Sequence, residues 1–172
     1  SDVFSSHLKI AILGWGSLIW NPENLSVQGN WTQAQLELPL EFSRISKDGR
    51  LTLVIDPDNG ENNKVFYINS GFNNLNDAIN NLKEREHTTE QNIGYVNLLA
   101  HTSRTHFTAF SENIKQWAER NDYAGVIWTD LICNFNNEYK SPFSVGNAMK
   151  YLTRLSGNQK ANALKYVSNT NQ

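Results

Sequence analysis

Two stretches of the chain carry residue types at spacings that chemistry can use. The first is Gly14-Trp15-Gly16-Ser17-Leu18-Ile19-Trp20. Glycine opens backbone angles closed to other residues, so successive N–H groups can converge on one carboxylate or carbonyl oxygen. The Ser17 hydroxyl adds a further donor, and such a nest could bind an anion or stabilise an oxyanion. Three other readings compete. The loop could be only a tight turn that lets large indoles pack near the backbone. A dinucleotide fingerprint needs a third glycine where Ile19 stands, and no βαβ pattern follows. A serine nucleophile would need a Gly-x-Ser-x-Gly elbow and a histidine partner, neither of which accompanies Ser17.

The second stretch is Lys83-Glu84-Arg85-Glu86-His87. Glu86 follows Leu82 by four residues, Ile79 by seven and Leu75 by eleven, so it extends an apolar helical stripe. Glu84 and Lys83 are rotated off that stripe and should face water. A carboxylate turned toward a core is costly unless hydrogen-bonded or held protonated, and acids in that condition are enriched in active sites. Glu86 is therefore the chain's best general-base candidate. The competing reading is an ordinary helix end whose terminal glutamate reaches solvent or pairs with a neighbouring Arg or His.

The elements that must position these residues can be outlined from periodicity. Residues 8–13 form an apolar run stopped by Gly14, as a buried strand would. Residues 31–45 alternate around Pro39 and suit an interrupted or edge strand. Asp48-Gly49 lies between two strand-like runs and signals a hairpin. Asp56-Pro57-Asp58-Asn59-Gly60 is a turn, and strands are expected at 65–68, 94–99 and 125–128. Helical spacing predicts helices over about 74–86, 107–120 and 144–155, with Ser144 as a cap, and a last short helix over 161–167. Hairpins come early and helices late. The pattern favours one α+β domain over residues 1–172, with a mostly antiparallel sheet closing into a small β-barrel flanked by helices.

Composition narrows the function classes. The 172 residues are 39% hydrophobic with a formal charge of −2, which suits a globular fold and gives no basic footprint for nucleic acid or an anionic membrane. No apolar stretch approaches the ~18 residues of a membrane span. Cys133 is the only cysteine, so no internal disulfide can form, and it suits a small buried residue. Residues Ser1 to His7 lack the basic-then-apolar layout of a signal peptide, and a cytoplasmic location is expected. His101 and His106 are five apart, off the helical spacing that pairs metal ligands, and His7 and His87 do not converge with them. No metal or cofactor is expected. Trp117, Trp128, Phe107 and Phe110 suit core positions, and Asp130, next to Trp128, could line a pocket but better suits a capped turn. Tyr95, Tyr123, Tyr139 and Tyr151 include possible substrate contacts.

Residues Gly14 to Trp20, taken with Leu82 to Glu86, resemble the γ-glutamylcyclotransferase superfamily, including its glutathione-specific ChaC branch and AIG2-like members. That group shows a Tyr-Gly-Ser-Leu or Tyr-Gly-Ser-Asn loop after its first strand, and ChaC-like members often continue through Leu-Ile-Trp. Its essential glutamate lies near the end of a later helix, four residues after a leucine. Two positions depart from the pattern: Trp15 replaces the usual Tyr, and His87 stands where many members have Gly. The resemblance implies a small-molecule γ-glutamyl substrate (glutathione, a γ-glutamyl amino acid or an amine) converted to 5-oxoproline. It implies Glu86 as the acid/base, and Gly14, Trp15, Gly16, Ser17 and Leu18 as the substrate-binding loop. A rival from another class is a non-catalytic module that binds a carboxylate or γ-glutamyl ligand without turnover.

Overall fold

The structure, a computed structural model, describes residues 8–155. The helix expected at 161–167 and His7 lie outside them. The described chain is α+β. Its strands are β1 (Ile10–Gly14), β2 (Val27–Ile45), β3 (Leu51–Ile55), β4 (Glu61–Ser70), β5 (Ile93–Asn97), β6 (Thr102–Arg104) and β7 (Gly125–Thr129). Its helices are α1 (Ser17–Trp20), α2 (Leu75–Glu86), α3 (Thr108–Arg120), α4 (Phe135–Tyr139) and α5 (Val145–Arg154). No helix among the described residues is long and apolar enough to cross a membrane.

One seven-stranded mixed sheet runs in the order β3-β2-β4-β1-β7-β5-β6. β1 pairs antiparallel with β4 and parallel with β7, while β5 pairs antiparallel with both β7 and β6. The order is linear, so the expected closure into a β-barrel does not occur. Closure would need long, staggered edge strands to meet. The edges here are β3, five residues long, and β6, three residues long.

Two compact units interleave along the chain. Within the described residues the first comprises 8–14, 18–38 and 64–131. Strand β1 is buried along its whole length, which matches its unbroken apolar run. Ile10, Ile12, Leu18, Leu25, Ile68, Ile79, Leu82, Ile93 and Ile127 share one core cluster in this unit. A second packing of this unit sets Trp117 stacked on Tyr123 at 5.5 Å and edge-on to Tyr67 at 5.0 Å. Trp117 and Trp128 are fully buried as the sequence suggests, whereas Phe107 and Phe110 are only half-buried.

The second unit comprises 15–17, 39–63 and 132–155 of the described residues. The hairpin joining β2 to β3 turns at Gly49, whose φ of +87° is a left-handed angle that glycine tolerates. Pro39 lies inside β2, and its carbonyl still accepts a bond from Asp56 N at 2.9 Å. Asp56 then caps its own turn, accepting from the backbone N–H groups of Asp58 and Asn59 and from the Ser43 hydroxyl. Phe135 anchors this unit's core with Ile45, Leu51 and Leu152, and Cys133 packs half-buried against it. Ser144 caps α5 as expected, accepting from Asn147 N at 3.0 Å.

Candidate functional site

Helix α2 forms because its apolar residues recur at helical spacing and its start is capped. The Asn74 side chain accepts from Asp77 N at 3.2 Å. Ala78, Ile79 and Leu82 are buried, and the stripe continues onto Glu86, whose side chain is only 17% exposed. Glu84 on the other face is exposed, and Lys83 is half-buried. The helix ends at His87, which takes the left-handed conformation with φ 53° and donates its backbone N–H to Glu84 O. That geometry explains why glycine would suit this position.

Glu86 lies in the first unit beside Arg85, Thr129 and Glu23. Burial pushes its carboxyl above the ordinary carboxylate range. The charge of Arg85 opposes this most, followed by the Thr129 hydroxyl, while the Glu23 charge reinforces it. The Thr129 Oγ1 atom is buried and near enough to favour the carboxylate, yet meets no partner at full hydrogen-bond geometry. A shielded carboxyl of raised pKa holds its proton to higher pH than a fully solvated glutamate, which makes it better suited to take up a proton and give it back.

Arg85 is the neighbouring arginine that the competing reading of Glu86 allows as its partner. Its side chain is 8% exposed, and its Nη1 stands 3.6 Å from Glu86 Oε1. Nε stands 3.6 Å from Glu23 Oε2, and Nη2 donates to Asn21 O at 2.7 Å. Asn81, on the same helix, accepts from Ser26 N at 2.8 Å and donates to Asn24 O at 3.1 Å. Segment 21–26 is thereby fastened along α2. The signal was present only indirectly, in polar side chains spaced one turn apart on a flank of the apolar stripe.

The glycine loop divides between the units. Gly14 and Leu18 belong to the first, with Glu86, and Leu18 shares a core cluster with Leu82, one turn before Glu86. A Cβ on Gly14 would lie 2.5 Å from Trp31 Cζ3, so any other residue there would have to displace the half-buried indole. Trp15, Gly16 and Ser17 belong to the second unit. There Trp15 Nε1 donates to Leu53 O at 3.1 Å, and Gly16 has φ +64°. Ser17 begins the single-turn helix α1, consistent with a turn reading of the loop as well as with a binding one.

The remaining candidates have structural partners. Asp130 is buried and accepts from Trp128 Nε1 at 2.7 Å, Thr105 Oγ1 at 2.8 Å and His106 N at 2.6 Å. It fixes the turn before α3. His106 Nδ1 lies 2.8 Å from Asp130 O, while His101 is exposed. Among the described residues, no group of three or more His, Cys, Asp or Glu side chains could hold a metal ion. The Tyr123 hydroxyl donates to Asn69 Oδ1 at 2.5 Å, and Tyr139 and Tyr151 pack into the second unit's core. Tyr95 lines a cavity of about 450 Å³ at the other end of α2. Comparison with family models, with characterised proteins and with solved structures finds no match.

Proposed function

We propose that this protein is a γ-glutamylcyclotransferase-like enzyme in which Glu86 is the acid/base. The observation that carries this reading is a carboxyl with raised pKa, largely shielded from solvent at the end of an apolar helical stripe. In the reaction, the α-amine of a γ-glutamyl group attacks its own γ-carbonyl. The amine is protonated at neutral pH, so Glu86 first removes a proton. A new C–N bond then closes the five-membered ring, and the old C–N bond breaks. Glu86 returns its proton to the departing amine, and the ring nitrogen gives its remaining extra proton to water, leaving 5-oxoproline and the free amine. The attacking group is already tethered to the carbonyl, so ring closure gains from proximity and needs no covalent nucleophile. The loop residues Gly14 to Leu18 have the role of gripping the glutamyl end that the sequence resemblance implies.

A second reading has its own observation. The ion pair of Glu86 with Arg85 at 3.6 Å gives the carboxylate an internal partner, as a binding module without turnover would tolerate. One experiment separates the two. Purified protein is incubated with glutathione, γ-glutamyl amino acids and γ-glutamyl amines, and 5-oxoproline is measured by mass spectrometry. Release by the wild type, abolished in a folded Glu86→Gln variant, supports the enzyme. Undiminished release in that variant removes Glu86 from the chemistry. Thermal stabilisation by 5-oxoproline or glutamate with no release from any substrate favours the binding module.

A further inference from the structure

The first unit contains a cavity of about 450 Å³ at the N-terminal end of α2, within the size range of small-molecule sites. Helix α2 has twelve residues, so its rise of about 1.5 Å per residue sets Leu75, at the cavity, roughly 17 Å from Glu86, and Glu86 itself is not part of the lining. One side of it is apolar, formed by Ile10, Leu75, Ile79 and Leu99. Leu99 is 63% exposed, an unusual state for a leucine that lines a concavity. The polar part of the lining includes Asn73, Asn76, Thr102 and Arg104, together with one acidic residue, Glu90, which forms no ion pair with Arg104.

Arg104 is the informative residue. Its guanidinium stacks 5.0 Å above the ring of Tyr95, its cross-strand partner in the β5–β6 ladder. Nε and Nη2 donate to Ile93 O at 3.3 and 3.1 Å, and Nη2 also donates to Glu90 O at 2.8 Å. The group is thus fixed in orientation by two carbonyls and a ring face. None of these partners neutralises its charge. Among the described residues no carboxylate lies within ion-pair distance of it, and Nη1 makes no hydrogen bond. An oriented guanidinium with an open donor matches the geometry of a carboxylate.

We infer that this cavity is a second binding site, which takes a small monocarboxylate with an apolar body. The carboxylate meets Arg104, and the hydrocarbon covers Ile10, Leu75, Ile79 and Leu99. Carboxamides and a hydroxyl from Asn73, Asn76 and Thr102 complete the polar wall. The site uses no atom of Glu86 and does not depend on the reaction proposed above.

Methyl-resolved NMR of the full chain, titrated with hexanoate, tests this, with hexanamide and inorganic phosphate as comparison probes. Saturable shifts of the Ile10, Leu75, Ile79 and Leu99 methyls with hexanoate are expected, with at least about tenfold weaker binding of hexanamide, the loss expected for one charge-assisted hydrogen bond. Phosphate should not move these methyls. Arg104→Gln should weaken hexanoate by a similar factor, with circular dichroism reporting whether it remains folded. Should that variant unfold, Thr102→Trp, on the exposed edge strand, obstructs the cavity and should abolish the methyl shifts. Equal binding of acid and amide, shifts confined to residues around Glu86, no saturation at millimolar hexanoate, or full affinity in the folded Arg104→Gln or Thr102→Trp variant would each overturn the site.

Discussion

Arg85 and Glu86, neighbours in sequence at the end of α2, turn their charged groups toward each other across 3.6 Å while both side chains are largely withdrawn from solvent. Attraction between them does not restore the ordinary acidity of Glu86, because the burial that brings them together raises its pKa more than Arg85 lowers it. Desolvation exceeds the Coulombic gain at this site.

The pH dependence of stability follows from that sign. With its pKa raised in the folded state, Glu86 is bound to its proton more tightly there than in the unfolded chain. Its contribution is fully present below the ordinary glutamate value of about 4.3 and is lost as pH rises through the raised folded value. Glu86→Gln does not ionise, so its stability relative to wild type should rise as pH increases from about 4 upward. Each kcal/mol gained corresponds to about 2–4 °C in Tm for a chain of this size. Melting curves of both proteins across that range check it. A difference that moves the other way with pH would mean that the Arg85 charge governs the site.

The residue that closes α2 yields an independent test. His87 holds φ at 53°, where any side chain with a Cβ is strained and glycine is not. His87→Gly should therefore stabilise the protein by about 1 kcal/mol, net of glycine's larger entropy loss on folding. His87→Val should destabilise it by at least as much. Urea unfolding of the three proteins gives the order, and a Gly variant less stable than wild type would remove left-handed strain from the account of this helix end.

Helix α2 was legible in sequence almost to the residue, because the apolar spacing from Leu75 to Leu82 and the charged end agree. The β2–β3 hairpin was equally legible, since Asp48-Gly49 leaves few alternatives. What escaped was non-local. Strand β6 has three residues, largely exposed, with no apolar alternation, and exists only because β5 supplies a ladder. Barrel closure was anticipated from strand content, yet depends on which edges meet. The further ties of Arg85 to Glu23 and Asn21 were not legible, because those partners are more than sixty residues upstream. Of the candidate site, periodicity exposed the stripe leading to Glu86, and adjacency allowed its pairing with Arg85, but the contacts that hold Arg85 to Asn21 and Glu23 come from a distant segment.

Asp130 shows how much a turn can depend on one carboxylate. It is buried and accepts bonds from an indole, a hydroxyl and a backbone N–H. Asp130→Ala leaves those donors unpaired in the interior, at about 1–3 kcal/mol each for the ones that cannot reach water. A loss of about 2–5 kcal/mol in unfolding free energy is expected, with Asp130→Asn losing less because it keeps one acceptor oxygen. Chemical denaturation measures both. A loss below 1 kcal/mol for the alanine variant would show that the turn before α3 re-forms around water.

Gly94 and Trp128 face each other across the β5–β7 ladder. The indole lies over the glycine so closely that an added Cβ would come within 2.4 Å of Trp128 Cε2. Trp128 is fully buried and held by its bond to Asp130, so it cannot move aside cheaply. Gly94→Ala should therefore destabilise by about 1–3 kcal/mol, the range for overpacked cores, despite alanine's better intrinsic fit to a strand. Trp128→Phe alone is also destabilising, through the lost volume and the orphaned Asp130 oxygen. The smaller ring leaves room for a methyl group, so Gly94→Ala should cost less in the Trp128→Phe background than in wild type. A double-mutant cycle by thermal unfolding, with coupling of at least about 0.5 kcal/mol, is the expected result. Strict additivity would mean that the strand relieves the clash by shifting its backbone and that the indole does not hold Gly94 in place.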